Sequence, residues 1–162
     1  MRPLIVLGLA AALMGCDGEE AARPLPEPAE LTREAIGHYD RMVVADHEGP
    51  KAQIWREGAE TPVWFSSVRD AFAFHMLPEE PDDIVVTYVS DMGAAESWAT
   101  PGPGTWIRAT EAFYVIGSDA RGGMGAEEPV PFAEEPAARA FAEAHGGEVV
   151  RFDGVPEDYV PS

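Results

Sequence analysis

Apolar positions along the 162-residue chain fall into three regimes. Residues 4–14 are almost unbroken in apolarity, from Leu4-Ile5-Val6-Leu7 to Leu13-Met14. Residues 17–30 hold hardly any large apolar side chain and are rich in Glu and Pro. From Ala35 onward, short apolar blocks alternate with turn residues. The blocks at 42–45 and 51–55 read as strands separated by Asp46-His47-Glu48-Gly49-Pro50, which has the composition of a hairpin turn. Pro62-Val63-Trp64-Phe65 is a third short strand, after which Ser66 or Ser67 caps a helix to about Met76 with Val68, Phe72 and His75 or Met76 on one face. Ile84-Val85-Val86-Thr87-Tyr88-Val89 is apolar and β-branched throughout, the pattern of a central strand. The second half repeats this order, with strands at 105–109, 112–116 and 129–132, a helix over 134–145 closed by Gly146-Gly147, and a last strand at 148–152.

A shift of 67 residues lays Pro62-Val63-Trp64-Phe65 over Pro129-Val130-Pro131-Phe132, and Phe74 over Phe141. This points to an α+β fold of two small ββαβ-type repeats, 36–98 and 99–162. Neither half has enough apolar residues for a core of its own, so the two are expected to pack together.

The first regime is too short for a permanent membrane span and follows a single positive charge at Arg2, as in a signal peptide. It ends in Leu13-Met14-Gly15-Cys16, resembling the site at which bacterial lipoproteins are acylated and cleaved. The expectation is a signal peptide over 1–15, lipid on Cys16, and a disordered acidic, Pro-rich tether over 16–35. The formal net charge is −18, and loss of Arg2 with the signal takes it to −19. So acidic a chain is unsuited to nucleic acid, whose phosphates need Lys and Arg. Because Cys16 is the only cysteine, an intramolecular disulfide and a free catalytic thiol are both excluded once it is acylated.

Catalytic patterns are missing as well. Ser66-Ser67 lacks a nucleophile elbow, and Arg121-Gly122-Gly123-Met124-Gly125-Ala126 lacks the lysine and strand-loop-helix setting of a phosphate loop. The histidines His38, His47, His75 and His145 show no paired zinc spacing. The methionines are more informative. Met42, Met92 in Asp91-Met92-Gly93, and Met124 between glycines all fall at strand ends or in loops. Methionine is by residue type more often a gap filler than a ligand, but its thioether is soft and selects Cu(I), and no disulfide can consume it. His38, four residues before Met42, brings an imidazole alongside if 39–41 is extended, and Asp40 or Asp91 offers an oxygen ligand or a partner for His38.

These residues also carry a resemblance. Asp46 to Ile54, Pro62 to Phe72, Tyr88-Val89-Ser90-Asp91-Met92-Gly93, Ala112 to Ser118 and Gly122-Gly123-Met124-Gly125-Ala126 together resemble, in order, the NosL family of accessory lipoproteins of nitrous oxide reductase. The likeness spans roughly 36–160. It implies a periplasmic, non-enzymatic Cu(I) carrier, lipid-anchored to the inner or the outer membrane, that supplies copper to the apo-enzyme. It further implies an ABC-type transporter complex with a periplasmic subunit as partner. Its implied metal ligands are Met42, Met92 and Met124, with Met92 and Met42 ahead of Met124, assisted by His38 or Asp40. Many relatives have Cys-x-Met where this chain has Asp40-Arg41-Met42, so a thiolate is replaced by a carboxylate. That departure leaves open the alternative of an acidic docking protein of the same system without a metal site.

Overall fold

The computed structural model describes residues 24–159; the expected signal peptide and Cys16 lie outside them. Strands β1 (Ala52–Arg56), β2 (Val63–Phe65) and β3 (Ile84–Ser90) and helix α1 (Val68–Met76) form the first unit. After strand β4 (Trp106–Arg108), strands β5 (Phe113–Ile116), β6 (Val130–Phe132) and β7 (Glu148–Arg151) and helix α2 (Glu135–His145) form the second. The sheets run β2-β1-β3-β4 and β6-β5-β7, with every pairing antiparallel. Each unit is therefore ββαβ with its first strand in the middle, as the repeat predicts, and both β2 to β6 and the start of α1 to the start of α2 obey the 67-residue shift.

Local chemistry sets these boundaries. Ser67 has extended backbone and its hydroxyl accepts from Asp70 N–H at 3.1 Å, a helix N-cap. Leu77 leaves the helical region and Pro78 follows, ending α1. On β5 the alternation of side chains serves two cores. Tyr114 and Ile116 join Ile54, Phe65, Phe72, Phe74 and Val89 of the first unit, whereas Val115 packs with Val130, Phe132 and Ala138 beneath α2. A three-stranded sheet buried on both faces cannot stand alone, and that is what fixes the units together. The rings of Phe72 and Tyr114 meet edge to face at 5.2 Å across the junction, and Phe152 lies 4.9 Å from Phe72. Each such ring contributes about 1.5–3 kcal/mol by burial.

Three expectations are corrected. The segment 42–45 is not a strand: Val43 makes only an isolated bridge to Ile36, and Val44–Asp46 is a turn of 3-10 helix. β4 pairs with β3, so the first sheet extends past residue 98 to Arg108. The described part of the expected tether is not free either. Ala29 exchanges two 2.8 Å hydrogen bonds with the side chain of Gln53, and Tyr88 Oη donates to Pro26 O at 2.7 Å. A fully buried Gln53 amide imitates a strand partner and ties the segment down.

Candidate metal centre

Residues 36–43 double back in a tight loop. Gly37 N–H donates to Met42 O at 2.8 Å and Arg41 N–H to Gly37 O at 3.1 Å. Arg41 takes a positive φ of 59°, uncommon for a side-chain-bearing residue and a conformation held only where its surroundings enforce it. Asp40 accepts from Met42 N–H through Oδ1 at 2.9 Å, which sets Met42 directly after the kink, half exposed. A Cβ on residue 37 would lie 2.2 Å from Asp40 Oδ1, so only glycine permits this placement.

The other carboxylate oxygen of Asp40 faces His47 Nε2 at 3.7 Å. Both side chains are more than nine-tenths buried, and neither atom has a hydrogen-bond partner. A buried polar atom left in this way costs about 1–3 kcal/mol. The 121–126 loop closes on the same place: a Cβ on Gly123 would lie 2.6 Å from the Cβ of His47 and 3.0 Å from Glu48 N. Met124, the next residue, is exposed to 59%. Asp40, His47 and Gly123 thus adjoin one another, with Met42 hydrogen-bonded to Asp40 through its backbone and Met124 following Gly123 in the chain, so the neighbourhood offers one imidazole, one carboxylate and two exposed thioethers.

Ionisable groups are buried beneath them. Glu128 is 1% exposed, and its Oε1 accepts from Val68 N–H at 2.7 Å and Arg69 N–H at 3.2 Å, so the second unit caps the helix of the first. Burial pushes its carboxyl up to about 8 against these two hydrogen bonds. Lys51 is 2% exposed; its ammonium donates to Glu48 O at 3.0 Å and Gly49 O at 2.6 Å, and burial draws it down to about 8. Asp70 is also raised, mainly by burial and secondarily by the charge of Asp40. Lys51 pins the turn that carries His47.

The remaining sequence candidates lie elsewhere. The loop at 39–41 is turned rather than extended, and His38 faces Glu80 (3.6 Å) while packing on Phe65 and Phe74. Met92 is tied by its N–H to Pro131 O at 2.9 Å and lies with Trp98 and Phe141 against the core of the second unit. Sequence reasoning ranked Met92 and Met42 ahead of Met124; of these, Met42 and Met124 belong to the loops that meet at Asp40 and His47. It also passed over His47, whose signal was present in the Asp46-His47-Glu48-Gly49-Pro50 turn, and Glu128, which has no sequence signal. Among the described residues no three His, Cys, Asp or Glu side chains are placed to hold a metal ion.

The family profile of NosL matches residues 28–160. The copper-binding lipoprotein NosL of Achromobacter cycloclastes is 48% identical over 147 residues, covering 90% of this chain and 76% of that protein. The copper-binding lipoprotein NosL of Stutzerimonas stutzeri is 35% identical over 153 residues, covering 94% and 78%. The crystal structure of the copper chaperone NosL from Shewanella denitrificans has a TM-score of 0.76 at 32% identity, over 83% of this chain and 98% of that one. The solution structure of apo-NosL from Achromobacter cycloclastes gives 0.52 at 50% identity, over 68% and 88%.

Proposed function

This chain belongs to the NosL family, and from that premise we propose that it is a lipid-anchored periplasmic carrier that binds Cu(I) and delivers it for assembly of the copper centres of nitrous oxide reductase. It transfers a metal ion and catalyses no reaction. The observation that supports this reading is the unpartnered His47–Asp40 pair where the loops that carry the exposed Met42 and Met124 meet. Thioether sulfur and imidazole suit monovalent copper, and both persist in an oxidising compartment without cysteine.

The ligand set we propose is Met42, Met124 and His47, with Asp40 as oxygen ligand or as orienting partner of His47. Without a thiolate the ion is held less tightly and exchanges more readily, as a donor requires. Because Met42 and Met124 are at the surface, a recipient can attack the metal by ligand exchange without unfolding the carrier. The recipients are the apo-enzyme and an ABC-type transporter complex with its periplasmic subunit. Cys16 carries the lipid. Pro24 is eight residues beyond it in sequence, so the folded part begins at most roughly 28 Å from the anchor.

The test is Cu(I) titration of the processed lipoprotein in detergent, without oxygen and against a competing chelator. Met42→Ile with Met124→Ile is expected to weaken the tightest equivalent at least about ten-fold, a loss of about 1.4 kcal/mol. An affinity equal to wild type in that double variant removes the ligand set, and no retention of Cu(I) by the wild type removes the carrier role.

A further inference from the structure

Arg121, at the start of the 121–126 loop, also lines a groove of about 530 Å³ whose walls include Met92, Trp98, Asp119, Phe141 and His145. None of these belongs to the ligand set above. We propose that this groove is a second, weaker Cu(I) site, with His145 Nε2 and Met92 Sδ as ligands; the inference rests on the reading of the chain as a Cu(I) carrier.

Helix periodicity assembles the first wall. Ala137, Phe141 and His145 follow one another at four-residue intervals along one face of α2. Gly93, next to Met92, approaches Ala137, since a Cβ placed there would lie 3.4 Å from the Cβ of Ala137. The tie from Met92 N–H to Pro131 O holds the methionine against the same face.

His145 is oriented as metal-binding imidazoles are. Its Nδ1 lies 2.9 Å from Asp119 Oδ1, and Asp119 N–H donates to His145 O at 2.9 Å, so residue 119 is tied to residue 145 twice. A carboxylate accepts only, so Nδ1 carries the proton, and in the neutral ring Nε2 presents its lone pair. The ring stacks on Phe141 at 4.3 Å and 26°, which further limits its rotation. His145 also ends α2, where the helix dipole favours a bound cation.

The opposite wall is aromatic. Trp98 lies parallel to Phe141, 15° apart in plane with centroids 6.4 Å apart. An indole face attracts a cation and covers it without supplying a strong ligand. The one cationic side chain on the walls is engaged at the rim: Arg121 Nη1 donates to Ser118 O at 3.0 Å and Ala120 O at 2.8 Å, and Nη2 lies 3.9 Å from Glu127. An imidazole, a thioether and an indole, with the carboxylate engaged by the imidazole, favour a soft monovalent ion over Zn(II) or Ca(II).

The test is the same anaerobic titration of the detergent-solubilised lipoprotein with Cu(I), now followed to two equivalents with tryptophan fluorescence recorded throughout. Two equivalents are expected, the second at least about ten-fold weaker than the first and accompanied by quenching that is lost in Trp98→Phe. His145→Gln and Met92→Leu are each expected to weaken the second equivalent about ten-fold or more and to leave the first unchanged, whereas Met42→Ile with Met124→Ile does the reverse. His145 is about half exposed, so its variant reads the site without disturbing the fold. A single equivalent in the wild type, or a second equivalent indifferent to both groove variants, overturns this inference and leaves the carrier reading standing. No Cu(I) bound at all overturns both.

Discussion

Glu128 shows how much one side chain can carry in this fold. It is buried, it caps α1 from the neighbouring unit, and its folded pKa near 8 stands well above the ordinary 4.5. A value raised by folding means that the protonated form is the one favoured. The stability it brings is complete below about pH 4.5 and is lost as the pH climbs through 8. Glu128→Gln keeps an acceptor for Val68 and Arg69 and never ionises. It should therefore gain on the wild type between pH 5 and 8, by up to about 1.4 kcal/mol per pH unit. Urea unfolding at the two pH values measures the gain, and a wild-type–variant difference that does not change with pH contradicts it. Gly123 is the second sensitive position. Gly123→Ala drives a methyl into His47 and the backbone of Glu48, with an expected loss of about 1–3 kcal/mol by thermal denaturation. Because the displaced residue is His47, the tight Cu(I) equivalent should weaken in the same variant. A variant that melts like the wild type would show that the loop and the turn are not in contact.

At the scale of elements, the N-terminal strap alters how the anchor is understood. Pro26, Ala29 and Glu30 are bound by Tyr88, Gln53 and Gly104, so this segment behaves as part of the first sheet. Gln53→Ala deletes both bonds to Ala29 and leaves a hole at a fully buried position. It should cost about 1–3 kcal/mol and speed hydrogen exchange at Ala29 before any other strand opens. Exchange at Ala29 that stays as slow as in the wild type would mean that the strap is held by something else. The strap was not legible in advance, because Pro-Leu-Pro-Glu-Pro-Ala-Glu has the composition of a linker. Its order comes from polar partners on β1 and β3, which no local pattern reveals. α1 and α2 were legible because capping and apolar spacing are local properties; α2 begins one residue from the expected position and α1 at its expected cap.

For the whole molecule, the two ββαβ units share a core that crosses their boundary, with Phe72 against Tyr114 and Phe152. Denaturation should accordingly be a single cooperative transition, with far-ultraviolet circular dichroism and tryptophan fluorescence coinciding. Phe72→Ala is expected to cost about 3–5 kcal/mol and to lower that one midpoint. A variant in which one unit melts before the other would refute the shared core.

The sequence by itself determined the repeat, the order and type of nearly every element, the family, and the scarcity of thiols in a chain with one cysteine. All of these depend on residue type and on spacing within a few residues. Only the tertiary structure decided which methionine-bearing loops come together. The loops that carry Met42 and Met124, 82 positions apart, both close on the Asp40–His47 pair through a left-handed kink at Arg41 and close approach at Gly37 and Gly123, while Met92 and His145 line a separate groove. Such groupings follow from how the two sheets pack, and no periodicity along the chain encodes contacts between side chains so distant in sequence.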